Sequence, residues 1–540
     1  MKLRLCSVLL SVGLASVANA DQRVIVVMKD AQSYLQARSA FVLKSAGDFH
    51  VEHNLDYLNT FVGTVRSDAD IENMKQQPGV MLVEKETFHP APAPIRGYLG
   101  KPVSVKDLPG ARTPWGIMAV KAPQAWDKSK SGEGARVLVL DTGIDKDHPA
   151  IKSNFERGQD FTGRSSGDDF ADLVGHGTHV SGTVAAVLDQ TGFTGVAPKA
   201  KLLMGRVCST LGCSSSAIVQ GINWGISQKV DVVSMSLGGA WSTPAERDAV
   251  AKADKAGVVV VAASGNDGSS KVSYPAALPT VIAVGAVAEN LVKADFSQYG
   301  PELALVAPGV DVLSCVPRGT GRDAEVSIDN GQSNEKVKST SFQGAREVFQ
   351  GETNVLVPAG LGKPEDFKGI DVKGKYALVS RGEILFSDKA KNAGAAGALG
   401  VVIYNNVPGL IQGALTADGS TLPVAAFMVE QAVGQKIIAD IQAGKTVKAS
   451  LKTIATDYTE FPGTSMATPH VSGVVALVRA TNKALTPSQI KDLLKRTAQP
   501  LGPNQQNQYG AGLVNAEAAV NAAVQSRKVQ AQPVEMTVIH

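Results

Sequence analysis

The run Gly463-Thr464-Ser465-Met466-Ala467-Thr468-Pro469-His470 sets one serine where a glycine-flanked turn gives way to an apolar, small-residue helix. A side chain there lies near the positive end of the helix dipole, which suits a nucleophile. It equally suits a plain N-cap, and taken alone that reading carries the greater weight. Two further segments change the balance. Arg136-Val137-Leu138-Val139-Leu140-Asp141 is an apolar run of strand length that ends in a carboxylate and a turn. Asp141 is therefore expected at the carboxyl edge of a buried parallel strand, where open α/β sheets gather their functional groups. Gly175-His176-Gly177-Thr178-His179 opens a second small-residue helix with a glycine-flanked histidine. An alcohol is a poor nucleophile at neutral pH, so a neutral imidazole must take its proton and a carboxylate must hold that imidazole in the productive tautomer. Asp141, His176 and Ser465 supply these parts in that chain order.

The order and the flanking residues resemble the subtilisin family of serine proteases, for which this order and an oxyanion-hole asparagine are already established. The resemblance rests on Asp141-Thr142-Gly143-Ile144-Asp145, His176-Gly177-Thr178-His179-Val180-Ser181-Gly182, Ser236-Leu237-Gly238-Gly239, Ala263-Ser264-Gly265-Asn266 and Gly463 to His470, which follow one another as they do in the family. It implies that Asn266 donates to the oxyanion together with the Ser465 N–H. It also implies that Ser236, Leu237, Gly238, Gly239, Ala263, Ser264 and Gly265 bind an extended substrate backbone. Without the other blocks, Asn266 reads as a turn residue and Ser236 to Gly239 as a strand-ending turn. The backbone-pairing segments and their apolar neighbours suggest unfolded protein as substrate, with a bulky apolar residue before the cut.

Competing chemistry fares worse. His176 and His179 lack the four-residue spacing of a helical zinc-protease pair, and Gly177 stands where such enzymes carry Glu. His179 and His470 read as packed, hydrogen-bonded histidines, His148 as a loop residue, and Asp172 as solvated or loop-fixing. Gly-Thr-Ser-Met is not the nucleophile elbow of esterases. A binding protein on a degenerate protease fold is disfavoured because all the catalytic residue types are present. No cofactor is required for the chemistry. The resemblance allows structural calcium, held by loop carboxylates and carbonyls that no local motif reveals, and its ligands are not identifiable from the sequence.

The chain of 540 residues, 44% hydrophobic, is long enough for several domains with at least one large core. A net charge of +3 and an aromatic fraction of 5% argue against nucleic acid as a partner. Lys2 and Arg4, then the apolar stretch from Val8, then Ala18-Asn19-Ala20 form a secretory signal with cleavage expected after Ala20. That stretch is shorter than the roughly 20 residues a membrane anchor needs. An oxidising destination pairs Cys208 with Cys213 around a short loop and leaves Cys315 as a buried or spare thiol.

The expected organisation is a signal at 1–20, a propeptide at 21–95, a catalytic domain at 96–318 and 459–525, an insertion at 319–458, and a tail at 526–540. Strands are expected at 21–28, 61–65 and 80–84 with a helix at 67–77, followed by the proline-rich linker His89-Pro90-Ala91-Pro92-Ala93-Pro94. This unit resembles the small α+β propeptide of secreted subtilisins, which would act as the enzyme's own inhibitor. Strands at 202–204, 230–235, 258–263 and 281–284 alternate with helices at 215–228 and 244–256, which implies an α/β fold with a parallel sheet covered by helices on both faces. Between Ser314 and Gly463 more than 100 residues intervene where subtilisins have a short hairpin. Within them the stretch at about 374–408 resembles the protease-associated domain, with Ile384 where many such domains carry cysteine. The resulting expectation is a secreted, monomeric serine endopeptidase, made as a zymogen, that hydrolyses extracellular proteins through an acyl-enzyme. It would have no membrane attachment once the signal is removed.

Overall fold

The computed structural model describes residues 21–39, 49–92, 113–163, 169–190, 192–407, 409–410, 415–416, 420–503 and 505–530. The expected signal at 1–20 and the boundary expected at 95 lie outside the described residues. Two compact units divide the chain between Thr87 and Phe88.

The first unit contains β1 (Gln22–Met28), α1 (Ala31–Ser39), β2 (His50–Leu55), β3 (Thr60–Val65), α2 (Asp68–Lys75) and β4 (Val80–Lys85). Its strands form an antiparallel sheet in the order β2-β3-β1-β4. Alternate residues Val24, Val26 and Met28 of β1 meet Phe61, Ile71 and Met74 in a core of the unit's own. Ser67 and Asp70 cap α2 reciprocally, which satisfies two of the orphan donors at its start.

The second unit opens with β5 (Phe88–His89), then α3 (Trp115–Ala119), α4 (Ala122–Ser129), β6 (Arg136–Asp141), β7 (Phe155–Asp160) and α5 (His176–Ala185). Next come β8 (Lys201–Arg206), the short pair β9 (Cys208–Ser209) and β10 (Gly212–Ser214), α6 (Ser215–Ser227), β11 (Val232–Met235) and α7 (Pro244–Lys255). The run continues with β12 (Val259–Ala263), β13 (Ile282–Val287), β14 (Leu303–Pro308) and β15 (Val312–Cys315). Seven strands form one sheet in the order β14-β13-β12-β11-β6-β8-β7, every pairing parallel. Side chains alternate across it: Val137 and Val139 join Val474 and Leu477 in one core, while Leu138 and Leu140 lie over Gly225 and Gly221 of α6. Both faces are thereby covered, which is why these strands read as continuous apolar runs.

The insertion carries β16 (Gly321–Asp329), β17 (Asn334–Val337), β18 (Ser339–Ser341), β19 (Glu352–Pro358), β20 (Tyr376–Ser380), α8 (Phe386–Ala395), β21 (Gly400–Tyr404), β22 (Ala425–Val429), α9 (Gln431–Gln442) and β23 (Lys448–Thr456). Its eight strands run in the order β17-β16-β23-β19-β20-β21-β22-β18, parallel from β19 to β22 and antiparallel elsewhere. It leaves and rejoins the catalytic half through one ribbon, where β15 pairs with β24 (Tyr458–Phe461) and β16 pairs with β23 along its whole length. The chain then enters α10 (Thr464–Thr481), α11 (Pro487–Thr497) and α12 (Ala516–Gln530). This last helix runs five residues into the stretch read from sequence as a tail, because Ala519, Val520 and Ala523 pack into the main core.

Candidate active site

Asp141 ends β6 with its side chain fully buried, and His176 is the first residue of α5. The imidazole Nδ1 lies 2.7 Å from Asp141 Oδ1. An ionised carboxylate only accepts, so the proton sits on Nδ1 and Nε2 is left as the basic nitrogen. The backbone N–H of Thr142 donates to the same carboxylate oxygen at 2.7 Å. Burial alone would lower the His176 pKa, but the charge and hydrogen bond of Asp141, aided by the charge of Asp172, raise it above the ordinary histidine value. The turn after β6 and the start of α5 approach closely only because residue 177 is glycine: a Cβ there would collide with the Gly143 carbonyl.

Asp172 is buried rather than solvated, and it fixes the loop ahead of His176. Its Oδ1 accepts from Thr142 Oγ1 at 2.9 Å and from Gly175 N at 2.8 Å, and its Oδ2 from Thr178 N at 2.8 Å and Thr178 Oγ1 at 2.6 Å. Thr142 Oγ1 in turn accepts from Gly177 N at 2.9 Å. The strand end that carries Asp141 and the helix start that carries His176 are thus tied through one carboxylate.

Ser465 is the second residue of α10, which packs along α5. Its Oγ donates to the Ser236 carbonyl at 3.1 Å, while Ser236 Oγ donates back to the Ser465 carbonyl at 2.7 Å. That carbonyl is open to Ser236 because Pro469, four residues on, has no N–H to give it. The serine hydroxyl is therefore held by Ser236 here and makes no hydrogen bond to His176; rotation about χ1 is the motion that would exchange one acceptor for the other. Asn266 Oδ1 accepts from Thr464 N at 2.9 Å and Thr464 Oγ1 at 2.8 Å. A backbone N–H can only donate, so this fixes which end of the amide is oxygen and leaves the Asn266 NH2 as the donor end beside Ser465.

A cleft of about 530 Å³ runs beside Ser465, lined among others by Ser236, Leu237, Gly238, Gly239, Ala263 and Gly265. Gly265 has φ +109°, and a Cβ there would collide with Gln298 Oε1 at 1.9 Å. Ser264 departs from the sequence expectation and does not line the cleft. It is buried, its N–H bonds Val284 O, its carbonyl accepts from Ser273 N, and its Oγ donates to Gln298 O. Alternation along an extended segment turns it away from the side on which Ala263 and Gly265 line the cleft. Pro90, Ala91 and Pro92 also line this cleft, continuing from β5, which pairs antiparallel with β10.

The remaining flagged residues are structural. His179 bonds Thr459 O at 3.1 Å and stacks on Phe461, and burial pushes its pKa down to about 3. His470 bonds Met466 O at 2.9 Å, and burial takes it to about 4. His148, read from sequence as a loop residue, is fully buried, contacts Asp457 O at 3.0 Å and meets Tyr458 edge-on, so it anchors the stem of the insertion. Cys208 and Cys213 face each other across β9 and β10 and form a disulfide, while Cys315 is a buried thiol whose pKa burial pushes up to about 12. Among the described residues no group of three or more His, Cys, Asp or Glu clusters to hold a metal ion. Sequence reasoning missed Thr142 and Thr464 as organisers; both sit inside the recognised blocks, one residue from Asp141 and Ser465.

Comparison with known proteins agrees with this geometry. The model of the subtilase family matches residues 132–351 and 408–512, and that of the PA domain matches 349–437. Subtilisin NAT of Bacillus subtilis subsp. natto is 35% identical over 312 residues, covering 57% of this chain and 76% of its own. The minor extracellular protease Vpr of Bacillus subtilis is 30% identical over 467 residues, which is 75% of this chain but 53% of Vpr. Among solved structures, the psychrophilic subtilisin-like protease Apa1 from the Antarctic psychrotroph Pseudoalteromonas sp. AS-11 superposes with a TM-score of 0.57 at 31% identity, over 77% of this chain and 99% of its own.

Proposed function

Because the chain belongs to the subtilase family of serine proteases, we propose that it is a secreted endopeptidase, made as a zymogen, with Ser465 as nucleophile, His176 as general base and acid, and Asp141 as the group that orients His176. Ser465 Oγ turns from the Ser236 carbonyl to His176 Nε2, loses its proton there and attacks the scissile carbonyl. The oxyanion is met by the Asn266 NH2 and the Ser465 N–H. The proton on His176 passes to the leaving amine as the acyl-enzyme forms, and water reverses the steps. The observation that carries this reading is the buried 2.7 Å contact between His176 and Asp141, which fixes the tautomer that serine chemistry requires.

The zymogen reading is supported by Pro90, Ala91 and Pro92 in the cleft, directly after a compact α+β unit with its own core. That unit is the inhibitor in this reading, released by a cut in the linker. Secretion is supported by the charged and apolar pattern of residues 1–20 and by the disulfide. Substrates are extended segments of extracellular protein, bound by the working monomer along Ser236 to Gly239. The inserted domain selects or contacts protein substrates. Ser465→Ala tests the whole: turnover and release of the N-terminal unit should both vanish while the melting temperature stays within a few degrees. Retained turnover in that variant contradicts the mechanism.

A further inference from the structure

One side chain away from the cleft, behind His89, lies a buried carboxylate that the chemistry above does not use. Glu246, in the first turn of α7, is buried, and its Oε2 closes a capping box by accepting from Thr243 N at 3.0 Å and Ser242 Oγ at 3.1 Å. A cap of this kind needs one oxygen and is made as well by glutamine. The second oxygen, Oε1, does something else. It lies 2.7 Å from His89 Nε2, and the two side chains are only 2% and 3% exposed.

His89 is placed by its backbone as much as by Glu246. It pairs with Cys213 in the ladder between β5 and β10, and a Cβ on Gly239 would stand 2.7 Å from its Nδ1. The Trp241 ring lies 5.6 Å away, centroid to centroid. The imidazole thus fills a pocket walled by Gly239 and Trp241 and closed by Glu246. The residues after it, Pro90 to Pro92, run through the cleft beside Ser465. His89 and Pro90 lie against Gly239, and Phe88 and His89 against Gly212 of β10, so a substrate that followed the same path would set its side chains where these stand. An ionised carboxylate can only accept hydrogen bonds, and a buried one opposite an apolar occupant would lose its partner without regaining water.

We infer that Glu246 is a specificity-determining residue, and that the pocket holding His89 selects a substrate peptide carrying histidine or another basic, hydrogen-bond-donating side chain a few residues before the cut bond. This deepens the endopeptidase reading and rests on it. The chain's own segment 88–92 then holds the cleft by satisfying the same preference.

The test uses the activated enzyme and fluorogenic peptides of one sequence, in which each of the five positions before the cut is varied in turn among His, Lys, Arg, Leu and Glu. One position should favour a basic residue over Leu by roughly ten- to a hundredfold in kcat/KM, the usual worth of a hydrogen bond to a charged group. In Glu246→Gln the ratio of basic to Leu should fall to within about threefold, since the amide oxygen keeps the cap and the NH2, a donor, is turned toward the pocket. No basic preference at any position, or one unchanged in Glu246→Gln, overturns the inference. Should that variant not fold, the wild-type enzyme serves alone. The peptide Glu86-Thr87-Phe88-His89-Pro90-Ala91-Pro92 should inhibit roughly ten- to a hundredfold better than its His89→Leu counterpart, and equal inhibition overturns the proposal. Failure of the endopeptidase reading itself looks different: no peptide is cut and a fluorophosphonate does not label Ser465.

Discussion

The catalytic sheet and the inserted sheet both contain parallel strands joined through helices, yet their carboxyl edges are furnished differently. At the ends of β6, β11 and β12 stand Asp141, Ser236 and the Ala263-Ser264-Gly265-Asn266 turn. Two polar groups near there, His176 Nε2 and the Asn266 NH2, have no hydrogen-bond partner among the described residues. At the corresponding ends of β20 and β21 in the insertion, Arg381 donates to Asn405 Oδ1 at 3.2 Å and Asn405 Nδ2 donates to Gly409 O at 2.8 Å. Lys389, fully buried behind them, gives its ammonium to the carbonyls of Leu361 and Gly382, and burial pulls its pKa down to about 8. Topology supplies a place where side chains converge. Chemistry requires that some of them remain unspent, and in the insertion they are consumed in holding loops.

The comparison breaks most readily at Asp141. Asp141→Asn removes the acceptor that fixes the His176 tautomer, and kcat should fall about 10⁴-fold, a size taken from triads already measured, subtilisin's own among them, rather than from these distances. Recovery of more than a tenth of wild-type kcat would mean that the buried pair is only structural. Next comes Asn266→Ala. Losing one oxyanion donor should lower kcat by about 10²–10³-fold with KM little changed, again the size known for the subtilisin asparagine. An effect confined to KM would place Asn266 in ground-state binding instead. The smallest effect belongs to the insertion. Replacing Gly321 to Thr456 by a short turn joins β15 to β24 directly, and short-peptide kcat/KM should change less than about threefold while cleavage of folded or large proteins shifts more. Equal rates on both substrate classes would make the insertion a passive decoration.

How much of this was legible depended on whether a feature was local. The parallel sheet showed in the apolar runs of β6, β11 and β12, and the site in short blocks that each hold a turn and its reactive residue. β7, Phe-Glu-Arg-Gly-Gln-Asp, lies at the sheet edge with Glu156 and Arg157 exposed, so no apolar run announced it. β2 and α1 of the first unit are polar for the same reason. The flanks of the insertion stayed undefined because β16 and β23 find each other across more than 100 residues and alternate weakly. Asp172 could be named but not given its work, since its partners Thr142 and Thr178 belong to two separate elements, the turn after β6 and the start of α5. Ser264 was grouped with its neighbours because a motif records adjacency, not the side to which each residue turns. Glu246 carries a helix-capping signature that explains it fully until His89, 157 positions earlier, is seen against it.

The central claim is that a carboxylate-held, raised-pKa imidazole serves Ser465. The rate of covalent labelling of Ser465 by a fluorophosphonate, followed by mass spectrometry across pH, tests it directly. In the proposed mechanism neutral His176 is the active form, and its pKa lies above the ordinary 6.5, so labelling should be slow in acid, rise through an inflection above pH 6.5 and level off. In Asp141→Asn that inflection should move to lower pH, because burial then acts without the opposing charge. Labelling that is independent of pH, or that falls on a serine other than Ser465, would contradict the account.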